Sequence, residues 1–151
     1  MSELERVKED GLLIQHVKEQ TPELCLAAVK QNGWALCYIK EQTPEICLAA
    51  VKSYGNALQF VKKQTLEICL EEVKDDANAL QFVKEQTPEL CMMAVRKNCW
   101  ALQYVKEQTP EICTEAVKQS PGVTMYVTNP ICLNAIRKQH PELIARLYDR
   151  P

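Results

Sequence analysis

The sequence of 151 residues lacks most features that mark membrane or secreted proteins. It has no run of about 18 apolar residues, so no segment is a candidate transmembrane helix. The first residues, Met1 to Glu5, lack the basic and apolar segments of a secretion signal. We therefore expect a cytoplasmic protein, which would act in a host cytoplasm if it is viral or exported by another route.

Residues that carry chemistry are also scarce. The chain has two histidines, His16 and His140, and its eight cysteines form no paired CxxC motif, which argues against a zinc site. No glycine-rich phosphate loop or nucleophile motif occurs, and a net charge of −2 gives no general attraction to nucleic acid. We predict no catalytic residue, no metal and no cofactor, and we do not expect an enzyme.

The sequence does contain one unit repeated in tandem. The segment KEQTPEICLAAVK, residues 40–52, has close copies on both sides, and its cysteine recurs every 22 residues. The recurring cysteines are Cys25, Cys47, Cys69, Cys91 and Cys113. A fixed period of this length predicts a stack of small units that are stable only together.

Each copy is predicted to form two short helices. Thr43 suits the N-cap of the first helix and Pro44 its first position, so this helix spans about 44–53. Gly55 suits a left-handed position after it, and the second helix is predicted over about 56–63. The first helices are predicted to start at Pro22, Pro44, Leu66, Pro88 and Pro110, and the second near Trp34, Asn56, Asn78, Trp100 and Gly122.

These patterns predict an all-α fold, a right-handed α-solenoid of about six short helix pairs with a 22-residue repeat. We expect a single domain over residues 1–151. Its parts are an N-cap over about 1–20, where Glu3 replaces the cysteine, repeats over about 21–127, and a C-cap over about 128–151. The C-cap ends in a helix from Pro141 to about Asp149, with Arg146 and Arg150.

Positions that keep one residue type in every copy are predicted to form the core. They include the cysteines, the Val29 and Leu24 columns, and the aromatic column Tyr38, Phe60, Phe82, Tyr104 and Tyr126. Stacked helix axes lie ~8–10 Å apart, beyond the ~7 Å that a disulfide spans. We therefore expect buried, reduced thiols. A base-stacking role for the aromatic column is the alternative.

Two columns of cations leave a second alternative open. They are Lys18, Lys40, Lys62, Lys84 and Lys106, and Lys30, Lys52, Lys74, Arg96 and Lys118. Carboxylates accompany the first column, and the second lies where a cation favours the helix dipole. A solvated face is the favoured interpretation, and binding of phosphate or nucleic acid by the second column is the alternative.

The repeat resembles a family of short helical repeats known as domain of unknown function 4116. The resemblance is carried by the Ala-Val-Lys-Gln-Asn-Gly and Ala-Leu-Gln-Tyr/Phe-Val blocks and extends over about residues 7–136. The chain departs from it at Ala77, Cys99 and Pro121, which replace the turn glycine, so we expect turns of different shape there. The resemblance implies interaction with other proteins and carries over no catalytic residue.

Positions that change between copies are predicted to face outward and to specify a partner. The third copy has an acidic patch, although Glu72 replaces an alanine of the buried stripe, and the fourth has an apolar patch. The predicted partner-binding residues are Glu71, Glu72, Asp75, Asp76, Met92, Met93, Cys99, Trp100 and Trp34.

The most favoured function is a protein–protein interaction module, such as an inhibitor or adaptor that occludes a partner with a basic or mixed surface. Sequence drift on a solvated face is the alternative reading of the variable positions. Nucleic-acid or phosphate binding is the second functional hypothesis, and an enzyme is the least favoured. No membrane partner is expected, and no oligomeric state is predicted.

Overall fold

The computed structural model describes residues 1–148, with side chains as far as residue 145. Within these residues the structure is entirely helical and contains no β-strand. The α-helices are α1 Glu3–Glu9, α2 Pro22–Gln31, α3 Pro44–Ser53, α4 Leu66–Asp75, α5 Pro88–Lys97, α6 Pro110–Gln119, α7 Pro130–Gln139 and α8 Pro141–Tyr148. The 3₁₀ helices between them are η1 Gly11–His16, η2 Gly33–Tyr38, η3 Gly55–Phe60, η4 Ala77–Phe82, η5 Cys99–Tyr104 and η6 Pro121–Tyr126.

The first helix of each repeat, from α2 to α6, begins at the predicted residue. In α3, Thr43 Oγ1 accepts a hydrogen bond of 3.3 Å from the Ile46 backbone N–H, and Pro44 takes the first position. Glu45 lies in the first turn and Lys52 in the last, so both charges favour the helix dipole. The closing helix α8 also starts as predicted, whereas its predicted end and the Arg146 and Arg150 side chains lie outside the described residues.

The second helix of each repeat is a 3₁₀ helix and ends earlier than predicted. η3 covers Gly55–Phe60, where a helix over 56–63 was expected. In η2, Asn32 Oδ1 accepts a 3.0 Å hydrogen bond from the Trp34 backbone N–H, and the extended Ile39 ends the helix. The same cap is made by Asp10, Asp76 and Asn98. Each of these caps satisfies the N–H two residues on, but the cap does not decide the 3₁₀ form, since η3 and η6 have no side-chain cap.

The prediction of a left-handed glycine at Gly55 is wrong, because no glycine among the described residues has a positive φ. Gly11 and Gly33 instead allow close packing between repeats, whereas a Cβ at Gly122 would make only ordinary contacts at 3.7 Å. A Cβ at Gly33 would collide with the Ala50 carbonyl oxygen and would lie 2.7 Å from Tyr54 Cβ. The expected change of turn shape is also not observed, since the 3₁₀ helix forms where Ala77, Cys99 and Pro121 replace glycine.

The core consists mostly of the predicted columns. In α3 the buried residues are Ile46, Cys47, Ala50 and Val51, and the same positions are buried from α2 to α6. The aromatic column was predicted to be core, but Tyr38 is 39% exposed and the other four rings are half-buried. The buried place is taken by the next residue in each copy, the column Val17, Ile39, Val61, Val83 and Val105.

Contacts divide the chain into two compact units. Unit one comprises Met1–Asp75 with Phe82–Lys84, and within it α1 packs on α2, α2 on α3 and α3 on α4. Unit two comprises Asp76–Gln81 and the chain from Glu85 onward, and within it α5 packs on α6, α6 on α7 and α7 on α8. The single domain over residues 1–151 stays a prediction.

Candidate protein-binding surface

A glutamine that recurs in every repeat joins successive repeats. Gln42 Nε2 donates to the Leu36 carbonyl oxygen of its own repeat at 3.2 Å and to the Phe60 carbonyl oxygen of the next at 3.0 Å. Gln42 Oε1 accepts from the Lys62 backbone N–H at 2.9 Å. The glutamines that make the same three bonds are Gln20, Gln64 and Gln86. This role was not predicted, although a polar residue kept in every copy was a visible indication of it.

The recurring cysteines lie buried beside these glutamines, as predicted. Cys91 Sγ lies 3.5 Å from Gln86 Oε1, and burial raises the pKa of the Cys91 thiol to about 11. Burial and the neighbouring Cys132 thiol raise the pKa of Cys113 to about 12. All eight cysteines are free. The Cys91 and Cys113 thiols are thus held neutral beside Gln86 and Gln108, which makes them structural groups and weak nucleophiles.

Lysines of the first column also make hydrogen bonds between repeats. Lys62 Nζ donates to the Lys40 carbonyl oxygen at 2.9 Å, and Lys84 Nζ donates to the Lys62 carbonyl oxygen at 3.2 Å. Each ammonium group therefore binds the carbonyl that lies 22 residues earlier in the chain. These cations stabilise the junction between repeats, so they do not form a row directed at a ligand.

The acidic residues of the third copy have separate roles. Glu71 Oε1 lies 3.5 Å from Lys52 Nζ, in an ion pair between α3 and α4, and Asp75 is exposed. Asp76 is exposed too, but its Oδ1 caps η4 by accepting a 2.8 Å hydrogen bond from the Asn78 backbone N–H. Asp76 thus performs the capping function that Asn32 performs in η2.

Glu72 does not belong to a surface patch, which corrects the predicted set of partner-binding residues. Its side chain is 2% exposed and packs directly against Gly55, where a Cβ would collide with Glu72 Oε1. Cys99 is likewise buried, at 7% exposed. Neither side chain is accessible to a partner in this structure, because the close packing of the repeats covers both.

The two tryptophans lie at one register of the repeat and are equally exposed, at 41%. The Trp34 ring packs against Phe60 with centroids 4.8 Å apart, and the Trp100 ring meets Tyr126 edge to face at 6.0 Å. Each tryptophan covers the half-buried aromatic side chain of the following copy.

Met92 and Met93 lie together in a surface groove of unit two. This groove has a volume of about 470 Å³ and is lined by Pro88, Glu89, Met92, Met93 and Arg96. All five belong to the outward face of α5, since they repeat at helical spacing away from the buried Leu90 and Cys91. Trp100 is not among the described residues that line it. The predicted apolar patch is thus two separate features, the methionine groove and the tryptophan.

A second groove of about 500 Å³ lies across α5, α6 and the end of α7. It shares Met92 and Arg96 with the methionine groove, and its other lining residues are Pro110, Glu111, Thr114, Glu115, Lys118, Gln139 and His140. The two grooves form one surface, which we call the α5–α6 groove. Its floor is apolar at α5 and more polar at α6.

Two cations of the second column, Lys52 in unit one and Arg96 in this groove, lie near carboxylates. Arg96 Nε lies 4.0 Å from Glu115 Oε1, at the outer limit of an ion pair, and Lys52 pairs with Glu71 in unit one. Carboxylates of the next repeat thus lie against two of the cations that the phosphate-binding hypothesis requires. A solvated, partly neutralised face agrees better with these contacts than a row of open cations.

No helix among the described residues is long and apolar enough to cross a membrane, and no cluster of three or more potential metal ligands occurs among them.

Comparison with known proteins identifies the repeat and nothing beyond it. Residues 43–86 match the family model of the Domain of unknown function (DUF4116), which confirms the resemblance expected from the sequence. The matched residues run from the cap of α3 to the glutamine before α5. No curated protein and no solved structure matches the chain.

Proposed function

We propose that the chain is a right-handed α-solenoid that binds another protein through the outward faces of its α-helices. The constant positions support this proposal, because the recurring glutamines and first-column lysines bond from one repeat to the next, and the recurring cysteines are buried beside the glutamines. Side chains that remain free to vary lie on the outward faces. A binding module of stacked repeats is expected to show this division between constant and variable positions.

The observation that carries the proposal is the outward face of α5. In α2 this face carries Leu26, Ala27 and Lys30, whereas in α5 the same register carries Met92, Met93 and Arg96. The buried positions of the two helices hold the same residues, leucine, cysteine, alanine and valine. Methionine adapts its shape to a partner, and both methionine and arginine are enriched in protein interfaces. The changes are thus confined to the side chains that a partner would touch.

We further propose that binding occludes a surface of the partner, in the manner of an inhibitor or adaptor. The α5–α6 groove supports this mode because it combines an apolar floor with charges of both signs at its edges, Glu89 and Glu111 against Arg96 and Lys118. An apolar centre with a polar rim is the usual composition of a protein interface. The partner surface that suits it is mixed in charge.

An exchange of faces tests the proposal. The triple variant Met92→Leu, Met93→Ala and Arg96→Lys gives α5 the outward face of α2. We expect at least ~10-fold weaker binding to partners captured by the wild-type protein, with unchanged far-UV circular dichroism. The control is the reverse exchange in α2, Leu26→Met, Ala27→Met and Lys30→Arg, which should leave binding unchanged. Equal binding by the wild-type protein and the α5 variant would refute a role for this face.

A further inference from the structure

Carboxylates line the α5–α6 groove at the first turns of its helices, Glu89 and Glu111, whereas the last turns carry more positive than negative charge. Arg96 and Lys118 both line the groove there, and Glu115 is the carboxylate that lies between them. His140 lies at the same end and pairs with Glu142, at 3.3 Å between Nδ1 and Oε1. The last turns of α5 and α7 add Lys97, Arg137 and Lys138 to this end of the helices. A partner carboxylate would meet a net positive potential here.

Arginine at position 96 has a specific chemical consequence. The other copies have lysine at this register, namely Lys30, Lys52, Lys74 and Lys118. The planar guanidinium group binds a carboxylate through two parallel hydrogen bonds, which the point charge of lysine cannot do. Arg96 has a 66% exposed side chain, and its contact with Glu115 is at the 4.0 Å limit. Its terminal nitrogens are therefore well situated for a carboxylate from outside the chain.

The methionines stand directly beside this guanidinium group. Met93 and Arg96 are three residues apart and Met92 and Arg96 four residues apart, so all three side chains lie on one face of α5. An incoming apolar side chain on the methionines would thus be one helical turn from a carboxylate on Arg96. The neighbouring Thr114 and Glu115 of α6 widen the same surface.

We propose that the α5–α6 groove binds a partner segment in which an aspartate or glutamate accompanies large apolar side chains, the carboxylate on Arg96 and the apolar group on Met92 and Met93. This inference rests on the proposed function, and it names the chemistry of the partner. The acidic residues of the third copy had suggested a basic partner, but Glu72 is buried, Asp76 caps a helix and Glu71 faces Lys52.

A selection from a random displayed library of 16-residue peptides tests this inference. The full-length protein is the target, and the dissociation constants of enriched peptides are then measured by fluorescence polarisation. We expect peptides with Asp or Glu three or four residues from Leu, Met, Phe or Trp. Their affinity should fall at least ~10-fold for Arg96→Glu, where repulsion replaces attraction, and at least ~10-fold for Met93→Asp, which places a charge on the apolar floor.

The matched control is Lys30→Glu, which reverses the charge at the same register of α2 in unit one. It should leave these affinities within ~2-fold, and circular dichroism should report an unchanged fold for all three variants. Acidic peptides that bind equally well to Arg96→Glu would overturn the inference. So would enrichment of basic apolar peptides that depend on Met93, a result that upholds protein binding at this groove. If no enriched peptide depends on Met92 or Met93, both the inference and the proposed function fail.

Discussion

In unit one, Gln64 binds the Leu58 and Phe82 carbonyl oxygens at 3.1 and 2.8 Å. In unit two, Gln86 binds the equivalent Leu80 and Tyr104 carbonyl oxygens at 3.1 and 2.8 Å. The interior of the repeat is thus reproduced to within about a tenth of an ångström in these bonds. The outward faces differ, with leucine, alanine and lysine on α2 and two methionines and an arginine on α5.

This comparison shows which positions of the repeat are free to change. Polar groups in the interior are paired with backbone groups, so a change at one of them leaves a buried partner unsatisfied. Side chains on the outward face make few contacts inside the chain, and a change there costs little stability. Function can therefore differ between units while the framework stays the same.

The largest effect is expected from removing a framework glutamine. Gln64→Leu and Gln86→Leu each delete three hydrogen bonds to the backbone and one from a cysteine thiol, and they leave two part-buried carbonyl oxygens without their glutamine partner. We expect each variant to lose about 3 kcal/mol or more of unfolding free energy in urea denaturation. The size of the loss should be similar in both units, since the bonds are alike.

Exposed glutamines provide the controls for this experiment. Gln59 and Gln81 donate only to carbonyl oxygens three residues earlier, at 2.9 and 3.1 Å. Gln59→Leu and Gln81→Leu should change the unfolding free energy by less than about 0.5 kcal/mol. If Gln86→Leu were as mild as Gln81→Leu, the glutamine ladder would not be a source of stability in unit two.

The next largest effect is expected in the alkylation rates of an exposed thiol in unit one and a buried thiol in unit two. Burial raises the pKa of Cys25, Cys47 and Cys69 in unit one, and raises it to about 11 for Cys91 in unit two. At pH 8 iodoacetamide should label the exposed Cys37 at least ~10-fold faster than Cys91, because the reagent reaches Cys37 and because the pKa of Cys91 is raised strongly, although burial raises the pKa of Cys37 as well. Peptide mapping by mass spectrometry, with urea-denatured protein as the control, measures both rates. Rapid labelling of Cys91 in the folded protein would contradict its burial.

The same pKa shift predicts how stability depends on pH. An unfolded thiol titrates near 9.0 and the folded Cys91 thiol near about 11, so the folded state binds more protons between these values. Stability should therefore be intact below pH 9 and fall as the pH rises toward 11. Cys91→Ala should make this decline clearly less steep, and Cys37→Ala should do so to a smaller degree, because burial raises the pKa of the Cys37 thiol as well.

A third effect concerns the register where unit one has glycine and unit two has Cys99. A methyl group at Gly33 would collide with the Ala50 carbonyl oxygen, a backbone atom that cannot move without shifting α3. We expect Gly33→Ala to cost about 2 kcal/mol of unfolding free energy. Cys99→Ala removes only a sulfur atom at a position that already accepts a side chain, and it should cost about 1 kcal/mol or less. Equal costs would show that the two units pack alike at this register.

Much of this framework is predictable from the sequence. Thr43 and Pro44 determine the start of α3 through local capping, and the buried columns follow from residues kept at helical spacing. The 3₁₀ form of η2 was not predicted, because its Asn32 cap does not distinguish the two helix types: η3 is a 3₁₀ helix without a side-chain cap, and Asn129 makes the same kind of cap on the α-helix α7. The recurring glycine suggested that the turn needs a left-handed backbone conformation. At Gly33 the need for glycine comes instead from the close approach of the next repeat, which leaves no room for a Cβ.

The candidate site was predictable only in part. Met92 and Met93 stood out as changes in a variable column, and they do share a groove. Arg96 was counted with the lysines, since its importance depends on its position beside the methionines and opposite Glu115. Glu72 was assigned to the surface although its register is that of a buried alanine, and Cys99 was assigned there because its burial depends on packing between elements.

The smallest effect is expected for the two ion pairs between repeats. Lys52 and Glu71 are 59% and 40% exposed at 3.5 Å, and Arg96 and Glu115 are 66% and 34% exposed at 4.0 Å. Solvent screens both pairs, so a double-mutant cycle with alanine should give a coupling energy of about 0.5 kcal/mol or less for each. The coupling should decrease further in 0.5 M salt, because added ions screen exposed charges.

The two ion pairs should differ in coupling energy, and this difference tests whether Arg96 contributes to the packing between repeats. The Lys52 pair is closer, so it should show the larger coupling at low salt, and the Arg96 pair should show almost none. An arginine that adds nothing to stability would leave its guanidinium group available for the carboxylate contact proposed above. A coupling of about 1 kcal/mol or more between Arg96 and Glu115 would instead make Arg96 part of the framework. The proposed carboxylate contact would then have to compete with Glu115 for the same guanidinium group.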